Sequence, residues 1–497
     1  MSAARWLVLI AACALALLAV YRLESDSSGL TRTTLMVDTT PATVWRLAGA
    51  GDAPVVVIAH GFAGSRQLMD SFALTLAQAG YIAVSFDFVG HGRNPVPMSG
   101  DVTVVEGTTR VLMDELGRVS DAALALPGAD GRLGLVGHSM ASDVVVRQAI
   151  RDPRVGAVVA VSMFSTALTA DEPANLLVIA GEWEGMLANE ALNALRLADP
   201  AAALGQTVGD PATETGRRAV LTPNTEHVSV LYAPATLRET RGWLDLSFSR
   251  DSDGPVVRRG GWIALLIAAV VALGWPLAGL ARGLRAAGPP VRLSRGLFLL
   301  AVLGPALATP LLLWPFDKRF LPVLVADYLA LHFLVYGLLG LALLAYGRAV
   351  RVDVTAVVLA AVVALFGIGL FGGMLDRYVA AFFPTMERAA IIAAMAVGAV
   401  PFMLADAFLT EGGRAPLWRV LLVRGMALAS LGLAVALDFD RLFFLVIILP
   451  VILVFFLLFG TVGGWVGRAS WRPAAAGIGL GVFLAWALGV TFPLFAA

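Results

Sequence analysis

The stretch Gly137-His138-Ser139-Met140-Ala141 follows an apolar run, Leu133 to Val136, and leads into a run with helical periodicity. This pattern is typical of a nucleophile elbow, in which a strand turns sharply into a helix. The turn holds its central serine in a strained backbone conformation, with the hydroxyl exposed above the helix N-terminus. The sequence therefore predicts hydrolytic chemistry with Ser139 as the nucleophile.

Composition divides the chain into a polar part and an apolar part. Of the 497 residues, 58% are hydrophobic and 14% are charged, and the mean hydropathy is +0.81. These values are too apolar for an ordinary soluble protein. The polar stretch from Leu23 to Arg259 has about 235 residues, which is enough for one α/β domain. We therefore predict a transmembrane anchor (residues 1–23), a polar hydrolase domain (24–259) and a membrane domain (260–497).

Net charge and rare residues exclude several kinds of chemistry. The net charge is zero and no basic block stands out, so nothing supports nucleic-acid binding. The only lysine, Lys318, lies outside the polar stretch, which excludes a Ser–Lys dyad there. The only cysteine, Cys13, lies in the first apolar segment, so the polar domain has no cysteine nucleophile and the chain no internal disulfide. We expect no cofactor and no metal.

The first apolar segment, Trp6 to Tyr21, is flanked by Arg5 and Arg22. It fits an uncleaved signal anchor, because its bulky exit lacks a clean small-residue cleavage site. The sequence Ala14-Leu15-Ala16 leaves cleavage as an alternative.

Eight further apolar stretches are close to the ~20 residues that cross a bilayer. They cover residues 262–281, 296–315, 321–346, 353–375, 389–408, 420–437, 442–465 and 474–494. Alternating the loops places eleven arginines on one side and five basic residues on the other, namely Lys318, Arg319, Arg377, Arg388 and Arg441. The positive-inside rule then predicts a multi-pass protein of the cytoplasmic (inner) membrane with an extracytoplasmic polar domain. Arg258 and Arg259 fall on the predicted extracytoplasmic side, which weakens this assignment without reversing it.

Three ionisable residues, Asp327, His332 and Asp406, fall within the predicted spans. Ionisable groups are costly in hydrocarbon and usually face a partner or a cavity, so these residues are candidates for a polar site. The alternative is structural: the two aspartates lie near the bilayer surface and a neighbouring helix satisfies the histidine.

The polar stretch alternates short β-rich runs with helix-patterned runs, which predicts βα units and a mostly parallel sheet. The eight strand candidates cover residues 34–37, 44–47, 54–59, 82–86, 133–136, 155–161, 176–180 and 219–221. Helices are expected near residues 67–79, 108–126, 141–151, 186–197 and 228–248.

Three motifs follow successive strand candidates. His60-Gly61-Phe62-Ala63-Gly64-Ser65 follows the third, Phe86-Asp87-Phe88-Val89-Gly90-His91-Gly92 follows the fourth, and the elbow follows the fifth. In this order and spacing they resemble the α/β-hydrolase superfamily, over about residues 30–248. The resemblance implies an α/β-hydrolase fold with an eight-stranded sheet, here fused to an all-α polytopic membrane domain. The elbow ends in Ala141 where the superfamily has glycine, and we expect the single added methyl to be tolerated.

The catalytic base follows from elimination among five histidines. His332 lies in an apolar segment, His60 and His91 sit in turn motifs that more often stabilise loops, and His138 directly precedes the nucleophile. His227 remains, between the last strand candidate and the final helix, where the superfamily carries its catalytic histidine.

An acid that orients this base should follow a late strand, between the serine and the histidine in chain order. Glu184 matches the position where related proteins usually carry Asp, Glu182 is the alternative, and Asp171 or Glu172 is a more distant one. By resemblance, the backbone N–H groups of Phe62 and Met140 form the oxyanion hole.

Only 14 residues, Ser162 to Asn175, separate the sixth and seventh strand candidates, which leaves no room for a large cap domain. The stretch Asp199 to Gly216 is the best candidate for a mobile flap.

The leading hypothesis is a membrane-bound serine hydrolase that cleaves acyl esters of lipids or of lipid-linked envelope components through an acyl-enzyme. Peptidase, thioesterase and acyltransferase activities are alternatives on the same residues. A non-catalytic alternative is a transporter or scaffold with a hydrolase-like binding domain. Beyond the bilayer and a small or lipid-like ester, the sequence names no partner.

Overall fold

A computed structural model describes residues 2–102, 104–316, 320–321, 323 and 325–496. Lys318 and Arg319, which entered the charge distribution above, lie outside the described residues. The chain divides into two compact units. The hydrolase unit comprises Ala19–Ala264, Leu375–Ala381 and Pro493–Ala497, and the helical unit comprises Met1–Leu18, Leu265–Met374 and Phe382–Phe492.

The hydrolase unit is built on one mostly parallel sheet. Within the described residues, its nine strands are β1 (Leu30–Val37), β2 (Thr40–Leu47), β3 (Ala53–Ala59), β4 (Ile82–Phe86), β5 (Ala129–His138), β6 (Val155–Val161), β7 (Leu176–Gly181), β8 (Thr207–Val208) and β9 (Arg217–Thr222). Their order is β1-β2-β4-β3-β5-β6-β7-β9-β8. Neighbouring strands from β4 to β9 are parallel, whereas β1, β2 and β8 pair antiparallel at the two ends of the sheet.

The prediction of eight strands is wrong by one, because β8 lies within the stretch 199–216 that we expected to form a flap. Two residues are too few to show the alternation by which a strand is recognised. The structure pairs Thr207 with Arg218 and Val208 with Arg217 at the sheet edge. This stretch therefore contributes a ninth strand and a short 3₁₀ turn, Pro211–Thr213.

Helices cover both faces of the sheet. Together with α1 (Ala3–Ser25), the helices of this half of the chain are α2 (Asp70–Gln78), α3 (Arg110–Leu124), α4 (Met140–Arg151), α5 (Gly185–Ala198) and α6 (Pro234–Ser247). Because successive strand residues face opposite sides, Val55 and Val57 belong to a core cluster that includes residues of α3, α4 and α5, while Val56 and Ile58 belong to one that includes residues of α2 and α6. Both faces are buried, as a parallel sheet requires.

The last helix of the hydrolase unit begins later than the periodicity predicts. The pattern predicts one helix from Val228 to Phe248, but the structure has a 3₁₀ turn, Ser229–Tyr232, and then α6 from Pro234. Proline disfavours helical backbone at the preceding residue, and Ala233 is extended (φ −74°, ψ 127°). Pro234 therefore sets the start of α6 and separates it from the segment that carries His227.

The helical unit and its flanks supply the remaining α-helices. They are α7 (Arg259–Ala278), α8 (Arg295–Leu313), α9 (Ala326–Tyr346), α10 (Val354–Leu365), α11 (Gly372–Tyr378), α12 (Ala389–Leu409), α13 (Leu417–Leu437), α14 (Phe439–Leu442), α15 (Leu445–Ser470) and α16 (Pro473–Thr491). In the described part of the chain, nine helical spans are long and apolar enough to cross a membrane: the N-terminal segment and one for each of the eight predicted stretches.

The three ionisable residues predicted to lie within the apolar spans have partners. Asp327 accepts hydrogen bonds from the backbone N–H groups of Phe320 (2.6 Å) and Leu321 (3.1 Å). His332 lies 3.2 Å from the Ser430 hydroxyl. The two carboxylate oxygens of Asp406 accept from the Arg424 guanidinium at 3.1 and 3.2 Å. These contacts favour the structural interpretation of the three residues.

Candidate active site

The nucleophile elbow is formed by the single residue between β5 and α4. Ser139 has φ 54° and ψ −119°, a strained conformation for a residue with a side chain. Its backbone N–H donates to the Val161 carbonyl (2.9 Å), which ties the turn to β6. A Cβ on Gly137 would lie 2.4 Å from the Ala141 carbonyl oxygen, so the close approach depends on Gly137. Ala141 is fully buried in the core.

Three residues from distant parts of the chain form one hydrogen-bonded series. The Ser139 hydroxyl lies 2.8 Å from His227 Nε2, and His227 Nδ1 lies 2.6 Å from Glu184 Oε1. An ionised carboxylate can only accept, so Nδ1 carries the imidazole proton. Nε2 of the neutral ring is then the acceptor for the serine O–H. This arrangement has the geometry that a general base needs to take the serine proton.

The Glu184 carboxylate is held by its surroundings. Its Oε2 accepts from the Gly181 N–H (2.6 Å) and from the Ser162 hydroxyl (2.8 Å). Burial raises the pKa of Glu184, but the hydrogen bonds from His227, Gly181 and Ser162 outweigh burial and bring this pKa below its ordinary value. The carboxylate therefore stays ionised at neutral pH.

The alternative acids lie elsewhere. Glu182 is exposed, and its carboxylate accepts from the Asn224 N–H at 2.8 Å. Asp171 and Glu172 are exposed in the β6–β7 connection. Among the described hydrogen bonds and ion pairs, Glu184 is the carboxylate that contacts the His227 ring.

Sequence reasoning missed two residues beside this series. It set His138 aside as a mere neighbour of the nucleophile, yet His138 Nε2 lies 2.9 Å from the His227 carbonyl oxygen. A carbonyl only accepts, so His138 is the donor. Burial, together with the adjacent His227, lowers the pKa of His138 to about 3, so its ring is neutral. The other missed residue is Ser162, whose position just after β6 offered only a weak signal.

The turn expected to form the oxyanion hole lies against the nucleophile. A Cβ on Gly61 would lie 2.9 Å from Ser139 Cβ, which places the backbone beside Phe62 next to the serine. Met140 is the first residue of α4, where backbone N–H groups lack an intrahelical acceptor. Both predicted donors thus belong to segments that adjoin Ser139.

The polar residues of the two turn motifs have structural partners. Asp87 accepts from the Arg66 backbone N–H (2.7 Å), the Arg66 guanidinium (2.5 Å) and the Arg93 N–H (3.0 Å). His60 Nε2 accepts from the Phe88 N–H at 3.2 Å. These contacts join the turn after β3 to the turn after β4 and agree with a loop-stabilising role.

A second buried carboxylate supports the turn after β4. Glu115 accepts from the Thr40 hydroxyl (2.5 Å), the Asn94 amide (2.9 Å) and the Val89 N–H (2.9 Å). Burial raises the pKa of Glu115. His91 Nδ1 lies 2.9 Å from the Val89 carbonyl oxygen. From the helical pattern alone, Glu115 could not be distinguished from a solvent-exposed acid on α3.

Exposed apolar side chains lie close in sequence to Glu184, His227 and Ser162. Trp183 and Met186, on either side of Glu184, are 66% and 69% exposed. Val228 follows His227, and Phe164 lies two residues beyond Ser162; both are exposed. We call these four side chains the apolar rim.

The β6–β7 connection has neither helix nor strand, in agreement with the absence of a large cap domain there. No group of three potential metal ligands occurs in the described part of the chain.

One family model and several solved structures are similar to parts of this chain. Residues 52–213, about a third of the chain, match the family model described as serine aminopeptidase, S33. A dienelactone hydrolase from Anabaena variabilis is 17% identical, with a TM-score of 0.34, over 44% of this chain and 97% of its own. A bacterial membrane phospholipase A is 15% identical, with a TM-score of 0.31, over 48% and 96%. No curated protein matches. The hydrolase unit has the α/β-hydrolase fold and belongs to that superfamily of hydrolases.

The Glu184–His227 hydrogen bond predicts a pH-dependent stability. The folded pKa of Glu184 lies below its ordinary value, so its contribution is present above that ordinary value and is lost as pH falls through the folded pKa. Glu184→Gln cannot titrate. We expect the difference in melting temperature between wild type and Glu184→Gln to be constant above the ordinary value of about 4.3 and to shrink as pH falls further, through the folded pKa. A difference that stays constant with pH would contradict this role of the carboxylate.

Proposed function

We propose that this α/β-hydrolase domain is a membrane-bound serine hydrolase that cleaves acyl esters of lipid-like substrates. The observation that carries the proposal is the series from the Ser139 hydroxyl through His227 to Glu184, at 2.8 and 2.6 Å. A serine held at a strained elbow, beside a base and an orienting carboxylate, has the groups that acyl transfer requires. This series also argues against a purely non-catalytic scaffold.

The reaction would proceed through an acyl-enzyme. His227 Nε2 takes the Ser139 proton while Oγ attacks the ester carbonyl, and the oxyanion receives hydrogen bonds from the backbone N–H groups of Phe62 and Met140. The tetrahedral intermediate breaks its bond to the alcohol, which leaves with the proton from His227. A water molecule then repeats the sequence in the second half, releasing the carboxylic acid and restoring the serine. Glu184 remains ionised and stabilises the imidazolium.

The surroundings favour an amphiphilic ester. The apolar rim would be covered by an acyl chain, whose burial contributes ~0.8 kcal/mol per CH₂. An aminopeptidase, by contrast, must bind a free ammonium group. The carboxylates beside the site already accept hydrogen bonds: Glu182 from Asn224, Glu184 from Ser162, and Glu226 from the Val228 and Ser229 N–H groups. We therefore prefer an ester over a peptide with a free N-terminus. An alcohol acceptor in place of water would make the enzyme an acyltransferase.

The nine apolar spans support a multi-pass protein, and we propose that the hydrolase domain faces the extracytoplasmic side of the cytoplasmic membrane. An active site on that side has access to lipids of the outer leaflet and to envelope components.

The assignment of the nucleophile predicts covalent labelling. We expect a fluorophosphonate probe to label the full-length wild type, and Ser139→Ala to abolish the label, because Ser139 Oγ is the atom that attacks phosphorus. Ser120→Ala, which removes a hydroxyl on α3 bonded to the Leu116 carbonyl, should keep the label. Label that persists in Ser139→Ala, or is absent from wild type, would refute the proposal.

The apolar rim predicts a preference for long acyl chains. In Trp183→Ser combined with Met186→Ser, the kcat/KM ratio of decanoyl to acetyl esters should fall roughly tenfold, since part of the acyl chain stays in water. Leu197→Ser is the matched control. Its side chain is also exposed, but it lies at the opposite end of α5, about 16 Å from Met186 along the helix axis. Aminoacyl anilides cleaved faster than either ester would favour the peptidase alternative.

Topology can be tested by chemical labelling because the chain has one cysteine. In a Cys13→Ser background, Ala212→Cys introduces an exposed thiol in the hydrolase unit. A membrane-impermeant maleimide should modify it on intact spheroplasts. Arg351→Cys, exposed in a loop predicted to be cytoplasmic, should react only after permeabilisation. The reverse pattern would place the hydrolase domain in the cytoplasm.

A further inference from the structure

The helical unit contains a basic cavity that the hydrolase chemistry does not use. It has a volume of about 530 Å³ and lies where the start of α8 meets the segment between α12 and α13. Four arginines line it, Arg292, Arg295, Arg414 and Arg419, together with a single carboxylate, Glu411. The lining therefore carries a net charge of three positive units at neutral pH.

The single carboxylate is already engaged. Glu411 is buried, and its two oxygens lie 2.6 Å from the Arg419 guanidinium and 3.6 Å from that of Arg292. Arg295 and Arg414 are exposed, and neither has an acidic group within 4 Å among the described residues. Two guanidinium groups at the cavity thus lack a counter-charge from the described part of the chain.

Arg419 is fixed in place at the cavity wall. Its guanidinium lies 4.0 Å from the centre of the Phe298 ring, and its side chain is 13% exposed. Its Nε is buried and has no hydrogen-bond partner among the described residues. A planar guanidinium that is already positioned loses little entropy when it binds an oxyanion. Guanidinium groups match phosphate oxygens in both charge and geometry.

The wall of the cavity continues into apolar helix surfaces. Leu299, Leu303 and Leu307 follow one another at intervals of four residues on α8, and all three are exposed. Leu417 and Leu421 have the same spacing at the start of α13 and are also exposed. Residues four apart share a helix face, and α8 packs against α13. Each leucine line begins at or beside the arginines and runs along its helix.

We propose that this cavity binds the phosphate headgroup of an anionic phospholipid whose acyl chains lie along α8 and α13. An excess of arginine beside apolar helix surface fits a molecule with a charged head and apolar tails. Basic pockets between apolar helices, on the side that the positive-inside rule assigns to the cytoplasm, are the places where anionic lipid headgroups bind. The proposal is independent of the function proposed for Ser139.

The test uses full-length protein purified in a neutral detergent. Dioctanoyl phosphatidylglycerol is titrated while native mass spectrometry reports the bound fraction. Dioctanoyl phosphatidylcholine, with the same chains but no net charge, and inorganic phosphate are titrated in parallel. We expect the phosphatidylglycerol to bind more tightly than either of the other two probes.

The decisive variant is the double substitution Arg295→Gln and Arg414→Gln. It removes the two exposed guanidinium groups without acidic partners, and we expect the apparent Kd for phosphatidylglycerol to rise at least about tenfold. Arg348→Gln with Arg351→Gln is the matched control, because it removes two exposed arginines from the same predicted side of the membrane but outside the cavity. The control should bind like wild type.

Several outcomes would overturn the proposal. Equal losses in the two double variants would show diffuse electrostatic attraction in place of a site. Inorganic phosphate that binds as tightly as the lipid would identify a free-phosphate site. If size-exclusion chromatography shows that the first double variant is misfolded, Arg292→Gln replaces it, since this side chain is 81% exposed. An unchanged Kd in Arg292→Gln would then count against the site.

Discussion

The strained backbone of Ser139 is the constraint on which the proposed active site depends. A non-glycine residue at φ 54° and ψ −119° persists only where its surroundings fix it. Here the last six residues of β5 are buried, α4 starts at the residue after Ser139, and the Ser139 N–H is bonded to the Val161 carbonyl of β6. Gly137 and Gly61 allow the backbone to approach closely on two sides. The core of the sheet thus stabilises a conformation that presents the hydroxyl to His227 Nε2.

The same sheet explains how residues from four strand ends meet. Ser139 follows β5, Ser162 follows β6, Glu184 lies three residues after β7, and His227 lies five residues after β9. Because these strands are parallel, their carboxyl ends lie along one edge, where open α/β sheets place their sites. Hydrogen bonds then fix the side chains relative to one another. The neutral His138 holds the His227 carbonyl, while Gly181 and Ser162 hold the Glu184 carboxylate.

The two halves of the chain use charge differently. In the hydrolase unit, buried carboxylates such as Asp87 and Glu115 accept several hydrogen bonds each and join loops. In the helical unit, Asp406 is paired with Arg424, while the basic cavity has more arginines than acids. A buried charge without a partner costs far more free energy than a charge exposed to water. Arg295 and Arg414, which have no acidic partner among the described residues, accordingly lie exposed at this cavity, where an anion can approach them.

The sequence alone was enough to predict the α/β-hydrolase fold and the number of long apolar helices. Strand alternation, the order of three glycine-containing motifs and hydrophobic length are local signals. It also named Ser139, His227 and Glu184 as the site residues, but it left Glu182 as an alternative acid. The sequence cannot choose between two glutamates that lie two residues apart, because the conformation of the loop decides which side chain faces the histidine. The tertiary structure decided which of the two glutamates faces the histidine, and it gave His138 and Ser162 their contacts. It also added β8, which is too short to have a periodicity, and brought the arginines at and just before the starts of α8 and α13 to one cavity. These features depend on contacts between residues far apart in the chain, and no local pattern of residues encodes such distances.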